Sequence, residues 1–426
     1  MRILTVLALL LAAALPLYAQ QARFPEPEFE KPHPLPQTTQ PSARSLAMEY
    51  VDLAALVAAM SLAAWLVLKV RSRRPVFLLM AASLLYFGFW REGCVCAVGS
   101  IQNVVLAIFS DGYAIPLTAA AIFLLPLLFA LLFGRVFCAA VCPLGAAQDA
   151  VILKPARVPP WLSRFLGTLP YVYLGLAVLA AATGADFLIC RYDPFVGFFR
   201  MGAPFEMLLL GAAFLIVGTV VARPYCRFLC PYGVLLKWMS SLSRRHLTIT
   251  PSECTQCRLC EDSCPFDLIL RPSPARELES RRAGVRRLGW LFALLPVLAG
   301  AGIGAGLLAH APLSRIHSTV RLAERVALEK SGKAPDTTVE TRAFYETDKA
   351  ADALYAQAAA IRGRFRTGSI LLGAFLGLAV GVRLIAFSVR RRSADYRPDR
   401  ADCFSCGRCM PYCPVGKKPE SMGMPG

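Results

Sequence analysis

Long apolar runs dominate this chain and restrict the folds open to it. Of its 426 residues, 56% are hydrophobic and 17% are charged, which is more apolar than a soluble globular protein of this size. Several runs approach the roughly 20 residues that a membrane-spanning helix needs. They lie at about 47–68, 75–90, 113–133, 169–189, 205–222, 288–309 and 367–389. We therefore predict an all-α polytopic membrane protein with about seven transmembrane helices.

Basic residues gather at alternate ends of these runs. Arg and Lys clusters follow the first, third, fifth and seventh runs, whereas the loops on the other side carry only Arg91, Arg191 and Arg200. The positive-inside rule then predicts a multi-pass protein of the bacterial inner membrane, with the mature N-terminus in the periplasm and the C-terminus in the cytoplasm. The same clustering accounts for the net charge of +18, so membrane lipid, and not nucleic acid, is the expected environment.

The chain divides into further predicted segments around these runs. Residues 1–19 resemble a secretory signal, cleaved or kept as an anchor. The proline-rich residues 20–46 are predicted to form a periplasmic leader. The predicted segments that follow are a membrane core at 47–245, a first ferredoxin-like half at 246–280, a transmembrane helix at 281–309, a periplasmic helical segment at 310–366, a transmembrane helix at 367–389 and a second ferredoxin-like half at 390–426. Helical periodicity predicts amphipathic helices over Ser318–Lys330 and Thr337–Arg364.

Eight of the fifteen cysteines form two runs with identical spacing. Three cysteines stand two residues apart and a fourth precedes proline: Cys254, Cys257, Cys260 and Cys264, then Cys403, Cys406, Cys409 and Cys413. In two-cluster bacterial ferredoxins, the fourth cysteine binds the other cluster. A zinc site is the alternative, but zinc rarely uses this order. We predict two cytoplasmic 4Fe-4S clusters, one bound by Cys254, Cys257, Cys260 and Cys413, the other by Cys403, Cys406, Cys409 and Cys264.

A second cysteine pattern occurs twice in the membrane core. Gly134–Gly145 and Ala222–Gly233 each end a pair of apolar runs with Cys-x-x-x-Cys-Pro. The copies run in the same direction, which predicts an internal parallel repeat with a site between its halves. The site could hold a further iron–sulfur cluster or another metal, or act as a redox-active dithiol, and buried structural thiols are the alternative. Its cysteines are Cys138, Cys142, Cys226 and Cys230.

Three more cysteines lie in the predicted periplasmic loops. Cys94 and Cys96 follow the second run, and Cys190 follows the fourth. Three thiolates are one fewer than a usual four-thiolate site, so metal binding with a non-thiolate or partner ligand, a disulfide and simple burial all stay open. The apolar continuations Ile101–Phe109 and Phe195–Phe199 are predicted to be re-entrant or interfacial.

The order of these motifs resembles a known family. FCAAVCP and YCRFLCP, followed by CTQCRLCEDSCP and CFSCGRCMPYCP, resemble the NosR/NapH-type membrane polyferredoxins over roughly residues 75–270 and the C-terminal tail. The resemblance implies a core that transfers electrons between the quinone pool or cytoplasmic donors and a periplasmic partner, for which we expect a flavoprotein or reductase. This sequence departs from NosR in showing no flavin-binding domain and in inserting residues 288–389 between the cluster motifs.

Two functions are compatible with these features. The first is transmembrane electron transfer, as a component of a membrane oxidoreductase system and not as a stand-alone enzyme. The alternative is a maturation or regulatory factor of the CcoG-like type, which would use the same thiols to reduce or hand over copper. Copper handling should show Met-rich or His-rich outer segments, and residues 310–366 contain no Met, which favours electron transfer.

Overall fold

The computed structural model describes residues 45–93, 95–110, 112–249, 254–272, 280–334, 336–347, 350–389 and 394–415. The predicted signal, nearly all of the leader and Cys94 lie outside these residues. The described chain is mainly helical, as the apolar runs predicted.

The two halves of the core have a similar order of elements. The first contains α1 (Leu46–Trp65) and α2 (Arg73–Ser83), extended by π-helical turns to Val70 and Trp90, then α3 (Ala97–Phe109), α4 (Leu117–Phe133), α5 (Val136–Ala140) and α6 (Pro143–Ala150). The second contains α7 (Pro160–Leu166), α8 (Leu169–Ala182), α9 (Leu188–Arg191), α10 (Val196–Phe199), α11 (Phe205–Gly218), α12 (Pro224–Phe228) and α13 (Pro231–Ser241).

Four helical stretches of the described chain are long and apolar enough to cross a membrane. They are Leu46–Val70, Pro160–Ala182, Arg282–Ser314 and Ala351–Ser388. The other predicted spans coincide with α2, α4 and α11, which do not meet that length or composition. The total of seven spans therefore stays a prediction.

Two very long helices return the chain to the end of the bundle from which it left. They are α15 (Arg281–Ser314) and α18 (Ala351–Ser388), which pack antiparallel. Small residues let their backbones touch: a Cβ on Gly302 would collide with the Gly373 carbonyl oxygen, and one on Gly306 would collide with that of Ser369. Close contact through small residues is a usual way to join helices in a membrane.

The segment between these helices differs in part from its prediction. α16 (Ser318–Lys330) has the predicted bounds, but the predicted helix Thr337–Arg364 is wrong. It is divided into α17 (Val339–Glu346) and the first turns of α18, which continue without a break into the predicted span at 367–389. The physical reason is packing, because the apolar stripe of α18 covers that of α16. The buried residues of this small core include Val320, Ala323, Val326, Leu354, Ala358, Ile361 and Phe365.

The two ferredoxin-like halves form one unit, which we call the ferredoxin module (residues 254–272 and 394–415). Strands β1 (Ile269–Leu270) and β2 (Arg397–Pro398) pair antiparallel, with Ile269 opposite Pro398. The Phe266 and Phe404 rings pack with centroids 4.9 Å apart. The module also contains α14 (Leu259–Asp262) and a 3₁₀ turn at Met410–Tyr412.

Candidate iron–sulfur sites

The first predicted ligand set lines one cavity of the module. Cys254, Cys257 and Cys260 come from the first half, and Cys413 comes from the second. Gln256 (φ 54°) and Arg258 (φ 64°) have left-handed backbone conformations. Such residues curl a short loop, which brings thiols spaced by two residues towards a common centre.

The second predicted set lines a neighbouring cavity. Cys403, Cys406 and Cys409 face Cys264 there, and the walls include Leu247, Leu268, Ile269 and the two packed phenylalanines of the module. Each fourth cysteine thus shares a cavity with the three cysteines of the other half. The crossed ligation of two clusters stays a prediction.

The donor atoms of both cavities fit 4Fe-4S clusters. Each cavity is lined by four thiols and by no carboxylate among the described residues, and such clusters are held by four cysteine thiolates. Within the described chain, no three or more His, Cys, Asp or Glu side chains are close enough together to hold a single metal ion. Burial, with its neighbour Cys406, raises the pKa of Cys403 to about 12, and burial raises that of Cys260 to about 11. A bound metal would therefore have to displace these protons.

The four core cysteines, which we call the inner set, come together as well. Cys138 lies in α5 and Cys226 in α12, while Cys142 and Cys230 cap α6 and α13, each followed by a proline in the first helical position. Proline is favoured there because its missing N–H has no partner to lose. Burial raises the pKa of the Cys142 thiol well above its usual value, and the nearby Cys226, Cys138 and Cys230 raise it further.

The inner set and the module meet through one apolar cluster. Ala222, Phe266, Phe404 and Cys406 form its buried centre, and partly buried cysteines from both sites pack against it. These cysteines are Cys138, Cys226 and Cys264. The second cavity and the inner set are therefore separated by protein and not by bulk water.

Two arginines that the sequence reasoning missed connect these sites. Arg135 and Arg223 are both buried. The Arg135 guanidinium lies 4.4 Å from the Phe404 ring, with Nη2 3.9 Å from Cys138 Sγ. Arg223 donates from Nη1 to the Cys138 carbonyl oxygen at 2.6 Å. The sequence contained a pattern that could have identified them, because each arginine stands three residues before the first cysteine of its copy of the motif.

The arginines contact opposite copies of the motif in a reciprocal way. A Cβ on Gly233 would lie 3.4 Å from Arg135 Nη2, and a Cβ on Gly145 would lie 3.4 Å from Arg223 Nη1. Each arginine thus fills the space beside the glycine that ends the other Cys-x-x-x-Cys-Pro turn. A side chain larger than a methyl group at Gly233 or Gly145 would press on the guanidinium of Arg135 or Arg223, respectively.

A buried carboxylate joins the module to the core. Asp149, at the end of α6, accepts hydrogen bonds from Arg73, from Arg223 Nε at 3.1 Å and from Arg408 Nη2 at 3.0 Å. Arg408 lies between Cys406 and Cys409, and Arg73 also donates to the Cys406 carbonyl oxygen at 3.0 Å. Burial acts to raise the pKa of Asp149, but the guanidiniums, Arg223 foremost, hold it well below its usual range.

The predicted periplasmic cysteines are only partly described. Cys96 and Cys190, which we call the outer pair, stand beside Gly99: a Cβ there would lie 3.3 Å from Cys190 Sγ and 3.9 Å from Cys96 Sγ. Gln102 Oε1 accepts from the Ile189 N–H at 2.5 Å, which ties α3 to the Cys190 loop. Cys94 lies outside the described residues. The predicted re-entrant pieces are the helices α3 and α10.

A buried tyrosine, Tyr225, adjoins the inner set, and its carbonyl oxygen accepts from the Cys230 N–H at 2.9 Å. Tyr225 is fully buried, and its ring packs edge-on against Phe195 and Phe214 with centroids 5.6 Å and 5.7 Å away. Burial raises its pKa well above the usual value, and Asp193, Cys230 and Cys96 also raise it. The residue is therefore within electrostatic reach of both cysteine sites.

Comparison with known proteins agrees with this arrangement. A family model described as a 4Fe-4S binding domain matches residues 115–168 and again 203–250, once in each half of the core. A second model of the same description matches 247–270. The chain is 28% identical to an uncharacterized protein of Methanocaldococcus jannaschii over 43% of its own length and 78% of the relative's. It is 27% identical to the putative electron transport protein YccM of Escherichia coli (42% and 62%) and 27% identical to the regulatory protein NosR of Pseudomonas aeruginosa (45% and 29%).

The resemblance to the NosR/NapH-type polyferredoxins is confirmed. The chain spans less than two thirds of the length of YccM and of NosR. The similarity supports iron–sulfur binding and a membrane protein related to electron transfer. No solved structure matches the chain significantly.

Proposed function

We propose that this protein carries electrons across the bacterial inner membrane, between a cytoplasmic or quinone-side donor and a periplasmic redox partner. The observation that carries the proposal is the shared packing of the cysteine sites. Cys260 and Cys409, one from each cavity of the module, belong to one buried core, which also contains Tyr225 and packs against Cys96 of the outer pair. The second cavity and the inner set share a further apolar cluster.

Two 4Fe-4S clusters in the crossed cavities would accept and release single electrons. Cys254, Cys257, Cys260 and Cys413 would hold one cluster, and Cys403, Cys406, Cys409 and Cys264 the other. The apolar cluster around Phe404 excludes water from the region between the second cavity and the inner set. Arg135 and Arg223 place buried positive charge there, which favours the more negative, reduced state of either neighbour.

The inner set would hold a third iron–sulfur cluster. Four buried or partly buried thiols on two repeated turns, with no acidic side chain contributed by those turns, suit such a centre better than a harder, oxygen-preferring ion. The duplicated family match supports reading these turns as copies of one cofactor-binding unit. The outer pair would mark the exit of the path.

The periplasmic partner, for which we favour a flavoprotein or reductase, would dock near the outer pair and the 310–366 segment. α16 packs on α18 through its buried face, and at the edge of this contact Glu324 forms partly exposed ion pairs with Arg315 and with Arg362 of α18. Charged surface of this kind steers the encounter of redox proteins.

Iron analysis and spectroscopy test the crossed ligands. Purified protein should contain about eight iron atoms for the two module clusters, and more if the inner set also binds iron. Cys413→Ser should alter the EPR signal of the cluster held by Cys254, Cys257 and Cys260, while Cys264→Ser should alter that of the other. If each variant instead affects the cluster of its own half, the ligands are not crossed. Stoichiometric zinc without reducible visible absorbance would remove the iron–sulfur assignment.

Proteoliposomes test the transport itself. An impermeant reduced dye outside and ferricyanide enclosed inside should react only when the protein spans the bilayer. Cys230→Ser should slow this reaction while the module retains its iron, because the inner set lies beyond the module. Equal rates for Cys230→Ser and the unmodified protein would exclude the inner set from the path.

A further inference from the structure

A cavity of about 170 Å³ opens where the bundle meets the ferredoxin module. It lies beside α8, α12, α13 and α18, and Cys226, Cys230 and Phe404 form part of its wall. Its lining is strongly basic, with two carboxylates, Asp267 and Asp402, against five cationic side chains. The cationic residues are Arg135, Arg164, Arg227, Lys237 and Arg383.

Three of these arginines carry a buried N–H that has no hydrogen-bond partner among the described residues. The atoms are Arg135 Nε, Arg227 Nη1 and Arg383 Nη1. A buried donor on a charged group is strongly unfavourable when it lacks a partner, so three beside one cavity are unusual. Both carboxylates are already engaged, Asp402 with Lys237 at 2.8 Å and Asp267 with Arg157 at 3.4 Å. The unmet need is for an acceptor, and the excess of positive charge favours an anionic one.

The remaining contacts hold the guanidiniums in place. Arg227 Nη2 donates to Ser163 Oγ at 3.2 Å, and Arg383 Nη2 donates to the Arg164 carbonyl oxygen at 3.1 Å. Arg383 also lies 5.6 Å from the Tyr171 ring centre and 5.5 Å from that of Phe387. Donors that are already oriented lose little freedom when a ligand binds, which strengthens binding.

Gly167 provides the space that Arg383 occupies. A Cβ at this position would stand 2.7 Å from Arg383 Nη2. The guanidinium therefore enters the bundle through a gap that a glycine leaves between α7 and α8.

We propose that this cavity binds the phosphate of an anionic phospholipid headgroup. Arginine forks match the oxygen geometry of phosphate, and basic pockets between helices at a membrane surface are suited to such headgroups. An exposed apolar strip of α18 adjoins the cavity: Phe387, which lines it, is 50% exposed, and Leu384, about one turn earlier on the same helix, is 40% exposed. A lipid bound there would place its phosphate among the arginines and its chains along α18. This assignment does not depend on the proposed electron transfer.

Lipid titration of the full-length protein tests the assignment. Delipidated protein in detergent would be titrated with phosphatidylglycerol, phosphatidylcholine or inorganic phosphate, with bound species read by native mass spectrometry. We expect phosphatidylglycerol to bind in preference to phosphatidylcholine. The double variant Arg227→Gln/Arg383→Gln should weaken phosphatidylglycerol about tenfold or more, since each lost charge-assisted bond removes a large share of the affinity.

Arg74→Gln is the matched control, because Arg74 is an exposed arginine at the start of α2 and does not line the cavity. Arg74→Gln should change the affinity for phosphatidylglycerol by less than about twofold. A larger change would indicate that the lipid is attracted by surface charge in general. Iron content equal to that of the unmodified protein would show that the double variant Arg227→Gln/Arg383→Gln is folded. If that variant does not fold, Arg227→Lys/Arg383→Lys is used in its place. Equal weakening by Arg74→Gln, or equal binding of both lipids, would overturn the site. Binding of inorganic phosphate with no gain from phosphatidylglycerol would assign the cavity to free phosphate and overturn the lipid.

Discussion

Replacing Asp149 by asparagine should loosen the ferredoxin module from the membrane core. The carboxylate is completely buried and accepts from three arginines, and an asparagine at this position would keep its shape while leaving their charges uncompensated. Removing one partner of a buried ion pair typically costs about 3–5 kcal/mol. Arg408 brings that cost to the module, because it lies inside the loop that carries Cys406 and Cys409.

The assay is the rate at which a chelator removes iron from the purified protein. If undocking of the module precedes iron loss, 3–5 kcal/mol would raise the undocked population by about 10²- to 10⁴-fold, and the rate with it. Asp262→Asn is the control, because its ion pair with Arg157 at 2.6 Å is largely exposed. Exposed pairs contribute about 0–1 kcal/mol, so this variant should change the rate less than about fivefold.

Similar rates for Asp149→Asn and Asp262→Asn would refute the reasoning. The double variant Asp149→Asn/Arg408→Gln gives a second check. It removes one of the uncompensated charges, so it should release iron more slowly than Asp149→Asn alone. A faster rate would mean that Arg408 stabilises the module without the carboxylate.

Two further predictions concern glycines that lie in close contact with another part of the chain. Gly302→Ala should lower the free energy of unfolding by about 1–3 kcal/mol, because its Cβ would collide with the backbone of the facing helix. The control Gly304→Ala, which has open space around it among the described residues, should be neutral or slightly stabilising. Equal melting temperatures for the two variants would contradict the close packing. Gly99→Ala should slow electron transfer from the dye to ferricyanide without loss of iron, because its Cβ would press on Cys190 Sγ at 3.3 Å. The control is Gly112→Ala, whose Cβ would meet no described atom within 4 Å and which should leave the transfer rate unchanged. Unchanged transfer in Gly99→Ala would exclude the outer pair from the path.

Part of this protein could be predicted because short-range features determine it. An apolar run of about 20 residues has few alternatives to a helix, since a bilayer leaves no other partner for backbone N–H and C=O groups. The Cys-x-x-Cys spacing likewise restricts which thiols can reach one cluster, and the repeated Cys-x-x-x-Cys-Pro motif is enough to identify the inner set. The same local reasoning failed at Thr337–Arg364, where helical periodicity did not reveal that residues from Ala351 onward belong to the long α18.

The sequence by itself therefore determined the helical character, the candidate ligands and the repeated motif. Only the tertiary structure decided which other residues meet them: Arg135 lies beside Gly233, and three arginines contact Asp149. Arg408 and Asp149 are 259 residues apart, and no local pattern connects them. Their contact depends on the antiparallel packing of α15 and α18, which returns the second half of the module to the first. That packing is the sum of many weak contacts along both helices, so no single stretch of sequence encodes it.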